Sequence, residues 1–143
     1  MLTTNQKGAI AETAIAHAAV KLGIGVLKPI CDMRYDLVFD TGVRLLRVQC
    51  KWASRSGEVI VAPLYTNRRA REGLRRTFYA PTEIDAFAVY CSDLDRCYFI
   101  PIEELKGRYS PSFRLGPTRN KQAAGIRWAK DYEFAARLGR PGP

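Results

Sequence analysis

The chain has 143 residues and a net charge of +9, from 23 basic and 14 acidic residues, with 47% hydrophobic and 26% charged residues. This size and balance fit one globular domain with a real core and exclude a disordered chain. No apolar run approaches the roughly 18–20 residues of a membrane span, so no membrane association is expected. The basic excess has two readings, a polyanionic partner (chiefly nucleic acid) or a merely basic soluble protein. Met1 to Lys7 lacks the charged-then-apolar layout of a signal peptide, which leads us to expect a cytoplasmic protein. Cys31, Cys50, Cys91 and Cys97 form no CxxC pair, and the single histidine, His17, cannot complete a Cys/His zinc site by the usual spacings. Reduced, mostly buried thiols are expected; Cys91 and Cys97 could face each other across a hairpin, but a cytosolic setting argues against a lasting disulfide.

Asn5 to Leu22 reads as a helix, capped by Thr4 or Asn5, rich in alanine and ended by Gly23. Ile10, Ala14 and Ala18, joined by Ile15, Ala19 and Leu22, give it an apolar face. Glu12 lies on a stripe of small residues with Gly8, Ala16 and Ala19. It is either a solvated helix carboxylate or an acid that a strand, or a phosphate backbone near Gly8, can approach closely. His17 lies about 140° around the helix from Glu12 and reads as structural or surface. A short strand is expected from Ile24 to Ile30. Tyr35–Phe39 and Val43–Lys51 follow as a hairpin about an Asp40-Thr41-Gly42 turn. Trp52–Gly57 reads as a turn and Glu58–Tyr65 as another strand.

Thr66 to Pro81 carries Arg68, Arg69, Arg71, Arg75 and Arg76 against only Glu72, with Phe78 and Tyr79 at its end. Basic residues beside aromatics suit phosphate contact and base stacking; the bland alternative is a solvated charged face. Partial disorder without DNA is expected here. Ile84–Cys91 and Arg96–Pro101 read as a second hairpin, and Glu103–Lys106 as a helical turn. Lys106 to Lys121 holds Lys106, Arg108, Arg114, Arg119 and Lys121 with no acid. Interrupted by Pro111, Gly116 and Pro117, it reads as a second basic, DNA-facing loop. Ile126 to Leu138 is expected as a closing helix with an apolar stripe of Trp128, Tyr132, Ala135 and Leu138.

The chemistry concentrates in the first hairpin. Gln49 and Lys51 share a face while Cys50 points the other way, and antiparallel pairing can bring Asp36 near them. Hydrolysis of a phosphodiester needs charge neutralisation, an activated water and a stabilised leaving oxygen. A Mg²⁺ ion on oxygen ligands supplies much of this, and a lysine can orient or deprotonate the water. Glu12, Asp36, Gln49 and Lys51 contain these parts.

Three stretches, Asn5-Gln6-Lys7-Gly8-x-x-x-Glu12, Arg34-Tyr35-Asp36-Leu37-Val38 and Leu46-Arg47-Val48-Gln49-Cys50-Lys51, resemble the PD-(D/E)XK nuclease superfamily. Within it the similarity is to the group I intron-associated homing endonucleases and, more distantly, to archaeal Holliday-junction resolvases. Glu83–Tyr90 and Gly125–Ala129 resemble the intron-associated group as well. The resemblance implies an α/β restriction-endonuclease-like core, a mixed central sheet flanked by helices, spanning 1–143 as one domain. It also implies Mg²⁺-dependent cleavage of double-stranded DNA, with Mn²⁺ as a substitute, by a homodimer or homotetramer. Asp36 would be the principal metal ligand, Glu12 a second, and Lys51 the motif lysine. The Cys50 side chain would face away while its backbone carbonyl ligates. Gln49 departs from the Asp or Glu of the pattern, although an amide oxygen still coordinates Mg²⁺. DNA contacts would come from Lys7, Gly8, Arg68, Arg69, Arg71, Arg75, Arg76, Arg114, Arg119 and Lys121. The rival readings are a junction-resolving or repair nuclease and a catalytically inactive DNA-binding module.

Overall fold

The structure, a computed structural model, describes residues 1–120 and 124–139, apart from the side chains of Arg68 and Arg69. Helix α1 (Thr4–Lys21) starts one residue before the expected span, because Thr3 and Gln6 cap it reciprocally. The Gln6 N–H donates to Thr3 Oγ1, and the Thr3 N–H donates to Gln6 Oε1. Strands β1 (Gly25–Leu27), β2 (Leu37–Asp40) and β3 (Leu45–Ser56) then form an antiparallel meander. Strand β3 is longer than its sequence suggests. It runs through Trp52–Ser56, expected as a turn, and reverses only at Gly57, whose φ of +59° favours glycine. What keeps it extended is a succession of partners. Leu45–Val48 pair with β2, Val48–Ala53 with β7 (Ala86–Cys91), and Ser54–Ser56 with β4 (Val59–Val61).

The β3–β7 pairing is parallel and the other ladders are antiparallel, so the sheet is mixed. Strand β8 (Arg96–Pro101) adds to β7, and a 3₁₀ turn, Ile102–Leu105, follows it. Strand β9 (Ser112–Arg114) adds to β4, inside a segment read from sequence as loop. Strands β5 (Thr66–Ala70) and β6 (Gly73–Thr77) pair with each other alone, as a two-stranded ribbon. The segment expected to be partly disordered is therefore a hairpin.

Alternation along these strands makes two hydrophobic layers. On one face Leu37, Phe39, Leu46, Val48, Ala88 and Phe99 pack against Ala11, Ile15 and Ala19 of α1. On the other, Phe87, Val89, Cys91 and Ile100 meet Ile60, Leu64, Phe113 and Tyr132. Cys91 and Cys97 fall in opposite layers and all four thiols are free, so the hairpin-spanning pair does not form. The expected closing helix is broken. Trp128 is extended and bridges to Arg114, Ala129–Tyr132 is a 3₁₀ turn, and Glu133 (ψ 149°) bridges to Tyr98 before α2 (Phe134–Leu138). Two bridges to the sheet outweigh helix propensity here. They bury Ala129 and Phe134 and leave Ala135 exposed, so only Tyr132 and Leu138 of the expected stripe are buried. Among the described residues, no helix is long and apolar enough to cross a membrane.

Phe39 is fully buried and its ring lies 6.3 Å from Phe99 and 6.0 Å from Phe134. Phe39→Ala should therefore cost about 3–5 kcal/mol of stability, measured by chemical denaturation. A loss below about 1 kcal/mol, the size of an ordinary substitution, would contradict its central place.

Candidate active site

Strand β2 leaves β3 in the manner of a β-bulge. Leu37 pairs with Val48, and the Asp36 N–H donates to the same Val48 carbonyl at 2.9 Å, so two residues meet one. The next N–H along that edge of β3, that of Cys50, has no strand partner and donates instead to Asp36 Oδ2 at 3.0 Å. The Asp36 carboxylate thus lies against the strand edge, where groups from both faces of the sheet reach it. From the helix side comes Glu12, and from the other comes Lys51, whose charges act on it in opposite senses. Burial is the largest influence and raises the Asp36 pKa, with Glu12 adding to the rise. The Cys50 N–H and the charges of Lys51 and Lys28 oppose it, and the net direction is upward.

Glu12, Asp36, Gln49, Cys50 and Lys51 are all half-buried, neither lost in the core nor fully solvated. The Cys50 side chain packs with the helix-side layer, and burial, with Asp36 next, pushes its thiol pKa up, so it stays a neutral SH. In an extended strand the N–H and C=O of one residue point the same way, so the Cys50 carbonyl faces the Asp36 edge. Lys51 Nζ donates to the Tyr65 carbonyl at 3.1 Å and lies 5.3 Å from the centre of the Tyr79 ring.

Sequence reasoning missed three neighbours. Lys28 Nζ meets Glu12 Oε1 at 2.6 Å, and its pKa is raised by that hydrogen bond and by the charge of Glu12. Their separation of 16 residues offers no local signal. Tyr79, grouped in the sequence with base-stacking aromatics, is instead a post between Lys51 and Arg34, with the Arg34 guanidinium 4.0 Å from its ring centre. Its hydroxyl bonds Thr66 Oγ1 at 2.8 Å. Arg34 also donates to Glu83 (2.9 Å) and to the Phe78 carbonyl (2.7 Å), closing the base of the ribbon.

The basic residues divide into several settings. Arg71, Arg75 and Arg76 are exposed on the ribbon. Arg76 stacks 4.6 Å from the Tyr65 ring centre, and Arg75 stands in register with Arg68. Arg69 lies on β5. Lys7 is exposed, its ammonium 5.7 Å from the Trp52 ring centre, and a Cβ at Gly8 would meet open space. Arg114 differs. Its guanidinium donates to the Gly116 and Pro117 carbonyls, holding the loop after β9. Arg119 is exposed, and Lys121 lies outside the described residues. His17 is exposed on α1.

The residue types that the sequence put forward, two carboxylates, an amide oxygen and a backbone carbonyl, are those a hard divalent cation prefers, with no imidazole or thiolate. A half-buried, raised carboxylate beside a second carboxylate is also an arrangement that a cation relieves. The set is lean, however. Among the described residues no group of three or more His, Cys, Asp or Glu could hold a metal ion.

The profile of the PD-(D/E)XK endonuclease family matches residues 2–135. Among solved structures the chain is similar to a bacterial homing endonuclease, I-Ssp6803I, at 31% identity and a TM-score of 0.75, covering 96% of this chain and 93% of that one. No curated protein matches significantly. By family match and by shared fold, this chain belongs to the PD-(D/E)XK endonuclease family.

Proposed function

We propose that the protein is a Mg²⁺-dependent endonuclease of the homing type that cuts double-stranded DNA. The observation that carries this reading is the Asp36 carboxylate held by the Cys50 N–H at the edge where β2 parts from β3, with the charges of Glu12 and Lys51 acting on it and Lys51 bonded to the Tyr65 carbonyl at the foot of the basic ribbon. Asp36, Glu12, the Gln49 amide oxygen and the Cys50 carbonyl would hold the cation. When bound, it would neutralise phosphate charge and lower the pKa of a water; Mn²⁺ would substitute. Asp36 is aimed by its bond from the Cys50 N–H. Lys51, steadied by the Tyr65 carbonyl and the Tyr79 ring, orients or deprotonates the attacking water, or stabilises charge at the phosphate. The ribbon has the width of a two-stranded element that the DNA major groove admits. Its arginines, with Lys7 near the site, would contact phosphates. Cutting both strands with one site per chain calls for at least two subunits, a homodimer or homotetramer, and symmetry then favours a palindrome-like target.

A catalytically inactive DNA-binding module is the second reading, favoured by the lean donor set that Gln49 leaves. It requires that no nicking occur in Mg²⁺ or Mn²⁺. Comparing a linear duplex with a four-way junction separates the homing type from a junction-resolving nuclease.

Lys51→Ala should reduce cleavage by about 10²–10⁴-fold with DNA affinity retained in a gel-shift assay. Cleavage surviving that change would remove Lys51 from the chemistry. Arg75→Ala should weaken binding uniformly across sequences and lower the salt slope by about one. An unchanged slope would take the ribbon off the DNA. Asp36→Asn should abolish cleavage yet raise the melting temperature at neutral pH. The wild type bears the cost of an ionised, half-buried carboxylate, whereas an amide oxygen can still accept the Cys50 N–H. Because the folded-state pKa of Asp36 is raised, that cost is absent below the ordinary carboxylate pKa of about 3.9 and grows as pH rises through the folded value. The stability gain of the variant should therefore shrink on acidification, and a gain independent of pH would assign it to another cause.

A further inference from the structure

Lys28 touches the site described above through Glu12, and its charge also acts on Asp36. Its ammonium sits 2.6 Å from Glu12 Oε1, with the lysine side chain 70% exposed and the glutamate only 27%. An exposed pair of this kind contributes little to stability, so the fold does not account for its placement. Its electrostatic effect is local and clear. Glu12 and Asp36 bring two negative charges to the edge, Lys51 and Lys28 bring two positive ones, and Gln49 brings none. The formal charges of these four side chains sum to zero, and one of the two carboxylates is already engaged by Lys28.

We propose that Lys28 is a charge gate on the cation site, holding Glu12 in the DNA-free protein and passing to a backbone phosphate when DNA arrives. The proposal rests on the metal-dependent reading above and assigns that site its regulation. Lys28 follows β1 (Gly25–Leu27) with its side chain largely in solvent, so its flexible stem is free to swing. A phosphate oxygen is the natural competitor for its ammonium. Once Lys28 moves, Glu12 faces the cation position with its charge unmatched. Cation and DNA then bind with positive coupling, and by linkage each strengthens the other equally. The free protein would carry little metal and would be poorly armed against water and stray phosphates. Lys28 acts through Glu12, which makes it a positioning residue.

The test is Mn²⁺ binding to the DNA-free full chain by isothermal titration calorimetry. Lys28→Met should bind Mn²⁺ about tenfold more tightly than wild type, the order expected when a like charge near a divalent ion is removed. Lys28→Arg, which keeps the charge, should match wild type. Thermal melts of both variants should stay close to wild type, as expected for an exposed pair. Equal Mn²⁺ affinity of wild type and Lys28→Met would overturn the gate while leaving the metal-dependent reading intact. Absence of Mn²⁺ binding in every variant, together with absence of Mn²⁺-dependent cleavage by wild type, would overturn that reading and the gate with it.

Discussion

The hydrogen bond from the Cys50 N–H to the Asp36 carboxylate, 3.0 Å long, is the contact on which the site depends. A strand edge that loses its neighbour leaves backbone donors unpaired, and a buried one is costly. Here the lost backbone partner is replaced by a side-chain oxygen from the very residue at which β2 departs. That substitution fixes the carboxylate along the sheet edge, and only there can an acid from the covering helix and a lysine from the opposite face address the same group. The bulge at Asp36 and Leu37 supplies the shift that makes this possible.

The edge holds its shape because β3 is braced elsewhere. Arg47 and Asp85 lock the start of the parallel pair. The Asp85 carboxylate accepts from the Arg47 N–H at 2.7 Å and from its guanidinium, while the Asp85 N–H donates back to the Arg47 carbonyl. Burial alone would raise the Asp85 pKa, but its bonds to Arg47 outweigh that and hold it below the ordinary range. Two residues away, Glu83 accepts from both Arg34 and the Ala80 N–H, fixing the turn that leads from the ribbon back to the core. These two acids are thus brackets, one for β3 and one for the ribbon base.

The placement of Glu12 on a helix and of Gln49 and Lys51 on a hairpin strand was legible in the sequence, because local periodicity sets which way each residue faces. The joining of Glu12 with Asp36 and Lys51 also rested on the family resemblance, since no local rule brings a helix acid to a strand edge. Long-range partners were not legible. Lys28 meets Glu12, and Tyr79 stands between Arg34 and Lys51, through the packing of distant segments. The length of β3 was hidden by Ser54, Ser56 and Gly57, which read as a turn until two further strands arrive to pair with it. The closing helix failed for the converse reason: bridges at Trp128 and Glu133 override a stretch of good helix formers.

Among the described residues, the ribbon of β5 and β6 pairs with no other strand. Arg71, Arg75 and Arg76 of the ribbon are exposed, whereas Val48, Gln49, Cys50 and Lys51 of the strand edge are each paired in the β3–β7 ladder. Change at the tip is consequently cheap and change at the edge is not. A lineage of such proteins can vary the arginines of the ribbon one at a time while the strand edge that holds Asp36 is inherited unchanged.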